Sequence, residues 1–291
     1  MSDLAAFQDF HYTVAEYKSH LKPIWCPGCG DFGVVSAIYN AFSRLRLNPW
    51  EAVIVSGIGC SSRLPDFVNA YGYHTIHGRA LPIATGVKLA NPRLTVLAVG
   101  GDGDGFAIGG GHVPHAARRN LDFTYIVMDN STYGLTKGQP SPTSPIGLKT
   151  KASPNGVVDE PLNLAALAVM YGATFVGRGF SGKLQDLTDL IVKGIEHEGF
   201  AFVHVLSPCT TFHDTWQLYK QAITKVPESH DPSDFRAALD LTLSTSPGIP
   251  IGLLYQMRKP TFGEKLDATL SKEKPSTVEA LFEKYYAQKT V

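Results

Sequence analysis

The stretch Leu94-Thr95-Val96-Leu97-Ala98-Val99-Gly100-Gly101-Asp102-Gly103-Asp104-Gly105 decides the fold. An apolar, partly β-branched run leads without polar alternation into a turn of glycines and aspartates. A strand buried on both faces reads as such a continuous run, whereas a half-buried strand alternates. Four other runs have the same form: Ala52–Ser56, Phe123–Met128, Ala173–Val176 and Phe202–Leu206. Helical patterns lie between and around them, over Gly33–Leu45, Ala80–Ala90, Gly110–Arg119, Asn163–Tyr171 and Lys183–Glu196. In the last of these, Leu184, Leu187, Leu190 and Ile191 recur at helical spacing. Strand alternating with helix predicts an α/β protein, an open, mostly parallel sheet with helices on both faces. Ligands of such sheets bind beyond the carboxyl ends of the strands, so the residues just after each strand carry the chemistry.

The chain has 291 residues, which allows one or two domains. An α/β domain is expected over 1–215. A C-terminal extension is expected over 216–291, where Pro227, Pro232, Pro247, Pro250 and Pro260 interrupt any rhythm. That extension is expected to be irregular and to wrap the core or a partner subunit. From Pro140 to Pro161 the composition reads as a long surface or lid loop. Lys plus Arg and Asp plus Glu are 26 each, so the net charge is zero; a nucleic-acid binder would need a basic surplus. Zero net charge suits a chain that lives inside a larger assembly. No apolar run approaches the roughly 20 residues that span a bilayer. The first 20 residues carry Asp3 and lack the apolar stretch of a signal peptide. A cytoplasmic protein is the expectation.

The strand ends are informative. Ala52–Ser56 leads into Gly57-Ile58-Gly59-Cys60-Ser61-Ser62-Arg63, and Phe123–Met128 into Asp129-Asn130-Ser131-Thr132-Tyr133-Gly134. Asp102 and Asn130, 28 positions apart, then fall on adjacent strand ends, close enough to share one hard cation. Oxygen donors of this kind suit Mg²⁺, which keeps phosphate oxygens in its shell. Glycines around Asp102 let backbone N–H groups approach the same diphosphate. Three cationic side chains on these loops, Arg63, His77 and Lys137, are candidates to meet substrate carboxylates, and His77 also to donate to a substrate or cofactor. The pairs His74/His77 and His112/His115 have zinc-like spacing but no third ligand.

Four cysteines remain. Cys26 and Cys29 form Cys-Pro-Gly-Cys, while Cys60 and Cys209 each follow a strand. Spacing leaves three readings open: disulfides, a structural zinc site, and one [4Fe–4S] cluster held by four thiolates. Gly28, Gly30 and Gly33 match the dinucleotide pattern G-x-G-x-x-G, but two prolines and no strand precede them, so the match has no physical content. Asn130-Ser131-Thr132 is a glycosylation sequon by coincidence.

Gly101-Asp102-Gly103 with Asn130 resembles the diphosphate signature of thiamine diphosphate enzymes. Trp25–Asp31, Gly57–Ser62, His77–Arg79 and Tyr133–Gln139, in that order, resemble the beta subunit of 2-oxoacid:ferredoxin oxidoreductases. The likeness covers about Ile24 to Cys209 and implies a thiamine diphosphate-binding fold. It implies that Cys26, Cys29, Cys60 and Cys209 hold a [4Fe–4S] cluster, and that Asp102, Asn130 and the Thr132 carbonyl hold Mg²⁺. Ile58, Gly59, Cys60, His77, Gly101, Gly103, Asp104, Gly134 and Leu135 are implied to lie against the cofactor. The implied reaction is CoA-dependent oxidative decarboxylation of a 2-oxoacid, or its reverse, with electrons passed to ferredoxin. The Leu135–Gln139 stretch looks more like the 2-oxoglutarate type. The activating glutamate and the pyrimidine-binding domain would come from an alpha subunit, in a heterodimer or an α2β2 assembly. The alternatives are a pyruvate:ferredoxin oxidoreductase beta subunit, a cluster-free thiamine diphosphate enzyme subunit and a zinc-bearing structural subunit.

Overall fold

A computed structural model describes residues 12–244, 247–270 and 277–287. The first 11 residues and parts of the 216–291 extension lie outside the described residues. The chain runs α1 (Asp31–Leu45), β1 (Ala52–Ser56), β2 (Tyr71–His74), α2 (Ala80–Ala90), β3 (Thr95–Gly101), α3 (Val113–Arg119) and β4 (Phe123–Asp129). It continues α4 (Leu164–Met170), β5 (Phe175–Phe180), α5 (Leu184–Glu196), β6 (Phe200–Leu206), α6 (Trp216–Ala222), β7 (Ile223–Lys225), α7 (Phe235–Leu243), β8 (Ile249–Gln256), α8 (Phe262–Thr269) and α9 (Val278–Ala287). The sheet order is β2-β1-β3-β4-β6-β5-β8-β7, and only the β5–β8 pairing is antiparallel.

Burial on both faces explains the unbroken apolar runs. Ile54, Leu97, Val99, Ile126, Met128, Val203 and Val205 face one core layer with α1 and α5. Val53, Val55, Val96, Ala98, Tyr125, Val127 and Phe202 face the other, with α2, α3 and α4. At roughly 25 cal/mol per Å² of apolar surface removed from water, these two layers dominate the stabilising side of the balance. The strand order reverses between β1 and β3, and the crevice beyond a reversal is where such sheets take ligands.

Some expectations need adjusting. The fifth strand runs Phe175–Phe180 rather than Ala173–Val176, because Gly177 and Gly179 hide it in the sequence; Leu190 and Leu187 of α5 pack where their Cβ atoms would be. The extension after Trp216 is less irregular than its prolines suggested: β8 joins the sheet and β7 pairs with it in parallel. The lid reading of Pro140–Pro161 also fails at its start. Ser141 and Ser144 are buried, because their backbone and hydroxyls bond beneath the strand ends. Among the described residues no helix is long and apolar enough to cross a membrane.

Gly33 shows how closely α1 approaches β5's exit. A Cβ there would sit 2.1 Å from the Ser181 carbonyl oxygen, a backbone atom that cannot swing away. Gly86 in α2 has open space around it. Gly33→Ala is therefore expected to destabilise the fold by about 1–3 kcal/mol. Gly86→Ala is expected to stabilise it by about 0.5–1 kcal/mol. Denaturant midpoints of the two variants against the parent chain measure this, and shifts of the same sign would contradict the packing account.

Candidate functional site

The Cys26–Cys29 turn opens α1. Cys29 N–H donates to the Cys26 carbonyl at 3.0 Å, and Gly28 takes φ +78°, a left-handed conformation that glycine adopts without strain. Residues far along the chain tie this turn to the exit of β6. Gly30 N–H donates to Pro208 O (2.9 Å), Thr210 Oγ1 to Pro27 O (3.0 Å), Ser207 Oγ to Asp31 Oδ1 (2.7 Å) and Trp216 Nε1 to Gly28 O (2.9 Å). A Cβ on Gly30 would meet Ser207 Oγ at 2.5 Å and Pro208 N at 2.8 Å. The glycine pattern thus serves close packing of this turn rather than a nucleotide. Trp25 Nε1 donates to Cys60 O at 2.7 Å and draws in the β1 exit. All four cysteines are free thiols, and all four line one cavity of about 330 Å³ together with Arg63, Asn130, Gly134, Leu135 and Lys137.

A second pocket of about 200 Å³ adjoins it over the ends of β1, β3 and β4. Ile58, Gly59, Cys60, His77, Gly101, Asp102, Gly103, Asp104, Asn130, Thr132, Gly134 and Leu135 all line it. Ser61, Tyr133 and Thr136 line it too; all three lie within the motifs quoted above, but none was assigned to the site. Asp102 is 2 % exposed, and its Oδ2 accepts from Thr143 Oγ1 at 2.7 Å. Asn130 Oδ1 accepts from Thr132 N–H at 3.1 Å. The Thr132 carbonyl receives no hydrogen bond from the described residues.

Asp104 has a different place. Its Oδ1 accepts from Ile58 N–H (2.9 Å), Gly78 N–H (2.7 Å) and His77 Nδ1 (2.8 Å), and a Cβ on Gly57 would sit 1.8 Å from Oδ2. That carboxylate knits the pocket wall through Oδ1, while its buried Oδ2 has no hydrogen-bond partner among the described residues. His77 keeps Nε2 without a partner among the described residues, with its ring partly exposed on the pocket. The three cationic candidates therefore separate: His77 lies on the second pocket, Arg63 and Lys137 on the cysteine cavity. His74 Nδ1 lies 2.9 Å from both Ser56 Oγ and Ser62 O, so His74 and His77 do not converge. Among the described residues no three His, Cys, Asp or Glu side chains surround a single-ion site.

The electrostatics favour added positive charge at both cavities. Burial first, then the neighbouring charge of Asp129, push Asp102 up to about 7. Burial likewise pushes the Cys60 thiol up to about 11, with Asp31, Cys209 and Cys26 adding to it and Arg63 opposing. The Cys29 thiol is raised well above its usual range, mainly by burial and then by Asp31. Groups held in this way ionise readily only when a cation joins them, which is how metal ligands behave. Hard oxygen donors in one pocket fit Mg²⁺, and four thiols around one cavity fit a sulfur-ligated centre.

Residues 57–205 match the family model described as thiamine pyrophosphate enzyme, C-terminal TPP binding domain, and thiamine diphosphate is thus the cofactor of this fold. Residues 209–270 match the model for the C-terminal part of the pyruvate ferredoxin oxidoreductase beta subunit. The chain is 43% identical over 267 residues to the beta subunit of 2-oxoacid:ferredoxin oxidoreductase 1 from Aeropyrum pernix, covering 87% of this chain and 84% of that one. It is 37% identical over 259 residues to the 2-oxoglutarate synthase subunit KorB of Methanocaldococcus jannaschii, covering 88% and 96%. Its fold matches a 2-oxoglutarate:ferredoxin oxidoreductase structure from Magnetococcus marinus, with 2-oxoglutarate, coenzyme A and succinyl-CoA bound. The TM-score there is 0.92, at 42% identity over 96% of this chain and 97% of the other. With glycine-rich strand ends, four gathered thiols and these likenesses over most of its length, the chain belongs to the beta-subunit family of the 2-oxoacid:ferredoxin oxidoreductases.

Proposed function

We propose that this beta subunit serves a 2-oxoglutarate:ferredoxin oxidoreductase, with Mg²⁺ and thiamine diphosphate in the smaller pocket and a [4Fe–4S] cluster in the cysteine cavity. One observation carries the reading: Cys60, Asn130, Gly134 and Leu135 line both cavities, so the carbon chemistry and the electron exit share a wall. Asp102, Asn130 and the Thr132 carbonyl would hold Mg²⁺. Gly101, Gly103 and Gly134 admit the backbone to the diphosphate, and Ile58, Gly59 and Leu135 border the rest of the cofactor. Thiamine diphosphate, when bound, supplies the electron sink for loss of CO₂. Over a turnover, 2-oxoglutarate and CoA give succinyl-CoA, CO₂, a proton and two electrons, which leave singly to ferredoxin; the reverse is open to the same site. With Nδ1 on Asp104, His77 would offer Nε2 to substrate or cofactor, as an acceptor in the neutral ring and as a donor in the imidazolium. Arg63 and Lys137 carry no ion-pair partner among the described residues and are read as cations for substrate carboxylates at the shared wall.

The choice of cluster over zinc follows the likeness to ferredoxin oxidoreductase beta subunits, and a cavity of about 330 Å³ ringed by four thiols suits a multi-iron centre. Among the described residues no glutamate lines the smaller pocket, which supports an alpha subunit that supplies the activating glutamate in an α2β2 assembly. Thiols kept free for a cluster suit the cytoplasm.

Each of Cys26→Ser, Cys29→Ser, Cys60→Ser and Cys209→Ser is expected to lose or degrade the cluster, because a hydroxyl is a hard, poor ligand for iron–sulfur centres. Iron and sulfide analysis after anaerobic purification checks this, and full content in all four rejects the ligand set. Asp102→Ala and Asn130→Ala are expected to fold yet bind thiamine diphosphate far more weakly, by calorimetry in the presence of Mg²⁺. Unchanged affinity in either removes that residue from the Mg²⁺ site.

Substrate choice is tested on the complete alpha–beta complex, assayed anaerobically with 2-oxoglutarate and pyruvate. A charge-assisted hydrogen bond to the distal carboxylate contributes about 1.5–3 kcal/mol, so Lys137→Ala is expected to lower kcat/KM for 2-oxoglutarate by roughly 10- to 150-fold. Pyruvate, without that carboxylate, is expected to lose much less. Equal losses assign Lys137 to the loop or to the shared carboxylate, and a preference for pyruvate in the parent complex overturns the 2-oxoglutarate reading.

A further inference from the structure

The Ser141–Ser144 turn lies at the foot of the pocket. Ser141 N–H donates to Ser144 Oγ at 2.8 Å, and Ser144 Oγ donates to the Ser131 carbonyl at 2.7 Å. Between these two residues Thr143 sends its hydroxyl inward. Thr143 Oγ1 lies 2.7 Å from Asp102 Oδ2 and 2.7 Å from Asp129 Oδ1, with Ser131 Oγ at 3.2 Å. Asp102 follows β3 and Asp129 closes β4, and both carboxyl groups are buried. Asp129 is anchored already: His204 Nε2 meets its Oδ2 at 2.8 Å, and Ser131 N–H donates to its Oδ1 at 3.0 Å. Asp102 has no imidazole anchor of that kind; besides Thr143, the Ser141 hydroxyl and the Gly103 backbone hydrogen-bond it. The Thr143 hydroxyl thus stands within reach of a fixed carboxylate and of one that lines the pocket, and its single proton can serve either.

We propose that Thr143 is the positioning residue of the Mg²⁺ site, its hydroxyl donating to Asp102 Oδ2 and so holding Asp102 in the rotamer that presents its carboxyl group to the metal. The inference rests on the reading of Asp102 as a Mg²⁺ ligand and adds a residue that neither its type nor its position in an aperiodic loop had singled out. Groups that orient a metal ligand typically govern affinity without touching the ion, and losing one weakens binding roughly 10- to 100-fold. A methyl group in place of the hydroxyl keeps the volume and removes the link.

The test uses the full alpha–beta complex, stripped of metal and cofactor, with Mn²⁺ as the probe at saturating thiamine diphosphate. Free and bound Mn²⁺ are counted by electron paramagnetic resonance. Thr143→Val is expected to weaken Mn²⁺ binding by roughly 10- to 100-fold, and Thr143→Ser to restore it to near the parent value. Thermal unfolding of the metal-free complexes checks that the variants fold; if Thr143→Val does not, Thr143→Ala takes its place in the comparison. Parent-like Mn²⁺ affinity in the folded variant overturns the proposal. So does an equal loss in Thr143→Ser, which would trace the effect to the methyl's packing. A parent complex that binds neither Mn²⁺ nor thiamine diphosphate refutes the pocket assignment itself, a result separate from both.

Discussion

A single oxygen atom, Asp104 Oδ1, gathers Ile58 N–H, Gly78 N–H and His77 Nδ1. These donors come from the exit of β1 and from the loop that enters α2, while the acceptor stands just past β3. The wall of the smaller pocket depends on this convergence. Backbone amides in the turn after a strand need acceptors, and leaving two of them buried and unpaired would cost about 1–3 kcal/mol each. An ionised carboxylate answers all three donors at once and in doing so fixes which ring nitrogen of His77 faces the pocket. The glycine at position 57 follows from the same contact, since no side chain fits against that carboxylate.

The rest of the site is arranged around buried carboxyl and thiol groups. Asp102 and Asp129 stand at the ends of neighbouring strands, and four thiols crowd the adjacent cavity. His204 hydrogen-bonds Asp129, but among the described residues no imidazole meets Asp102 in that way. Burying a carboxylate with only neutral hydrogen-bond donors around it is costly, and a cation brought to it would lower that cost. A neutral overall charge conceals this local imbalance entirely. The useful quantity is charge per cavity, not charge per chain.

Much of this was legible in the sequence, for reasons tied to burial. β1, β3, β4 and β6 announce themselves because both faces are covered, so every position selects an apolar residue. β2 was not legible: all four of its residues are exposed at the sheet edge, and Tyr-Gly-Tyr-His carries neither a run nor an alternation of apolar residues. β8 contains Pro250 and Gly252, which argue locally against a strand, yet pairing with β5 outweighs them. In the site, Cys26, Cys29, Cys60 and Cys209 stood out because thiols are rare at such turns, and Asp102 and Asn130, ordinary turn residues, because they fall on adjacent strand ends. Thr143 did not, since a threonine in a proline-rich loop looks like solvent-facing filler. The separation of Arg63 and Lys137 from His77 was equally unreadable, because one-dimensional order cannot say which of two adjoining cavities a loop faces.

The stitching between the Cys26–Asp31 turn and Ser207–Trp216 bears on the order in which the protein matures. Its four hydrogen bonds each join residues far apart in the chain, as Ser207 and Asp31 are by 176 positions. Contacts of such sequence separation form late, because a long stretch of chain must first be ordered. During synthesis the two N-terminal thiols and Cys60 emerge well before Cys209, with 209 − 60 = 149 residues still to follow. The cavity that gathers all four is therefore a product of the nearly finished sheet, and any centre installed there must be delivered after translation has passed β6, not during it.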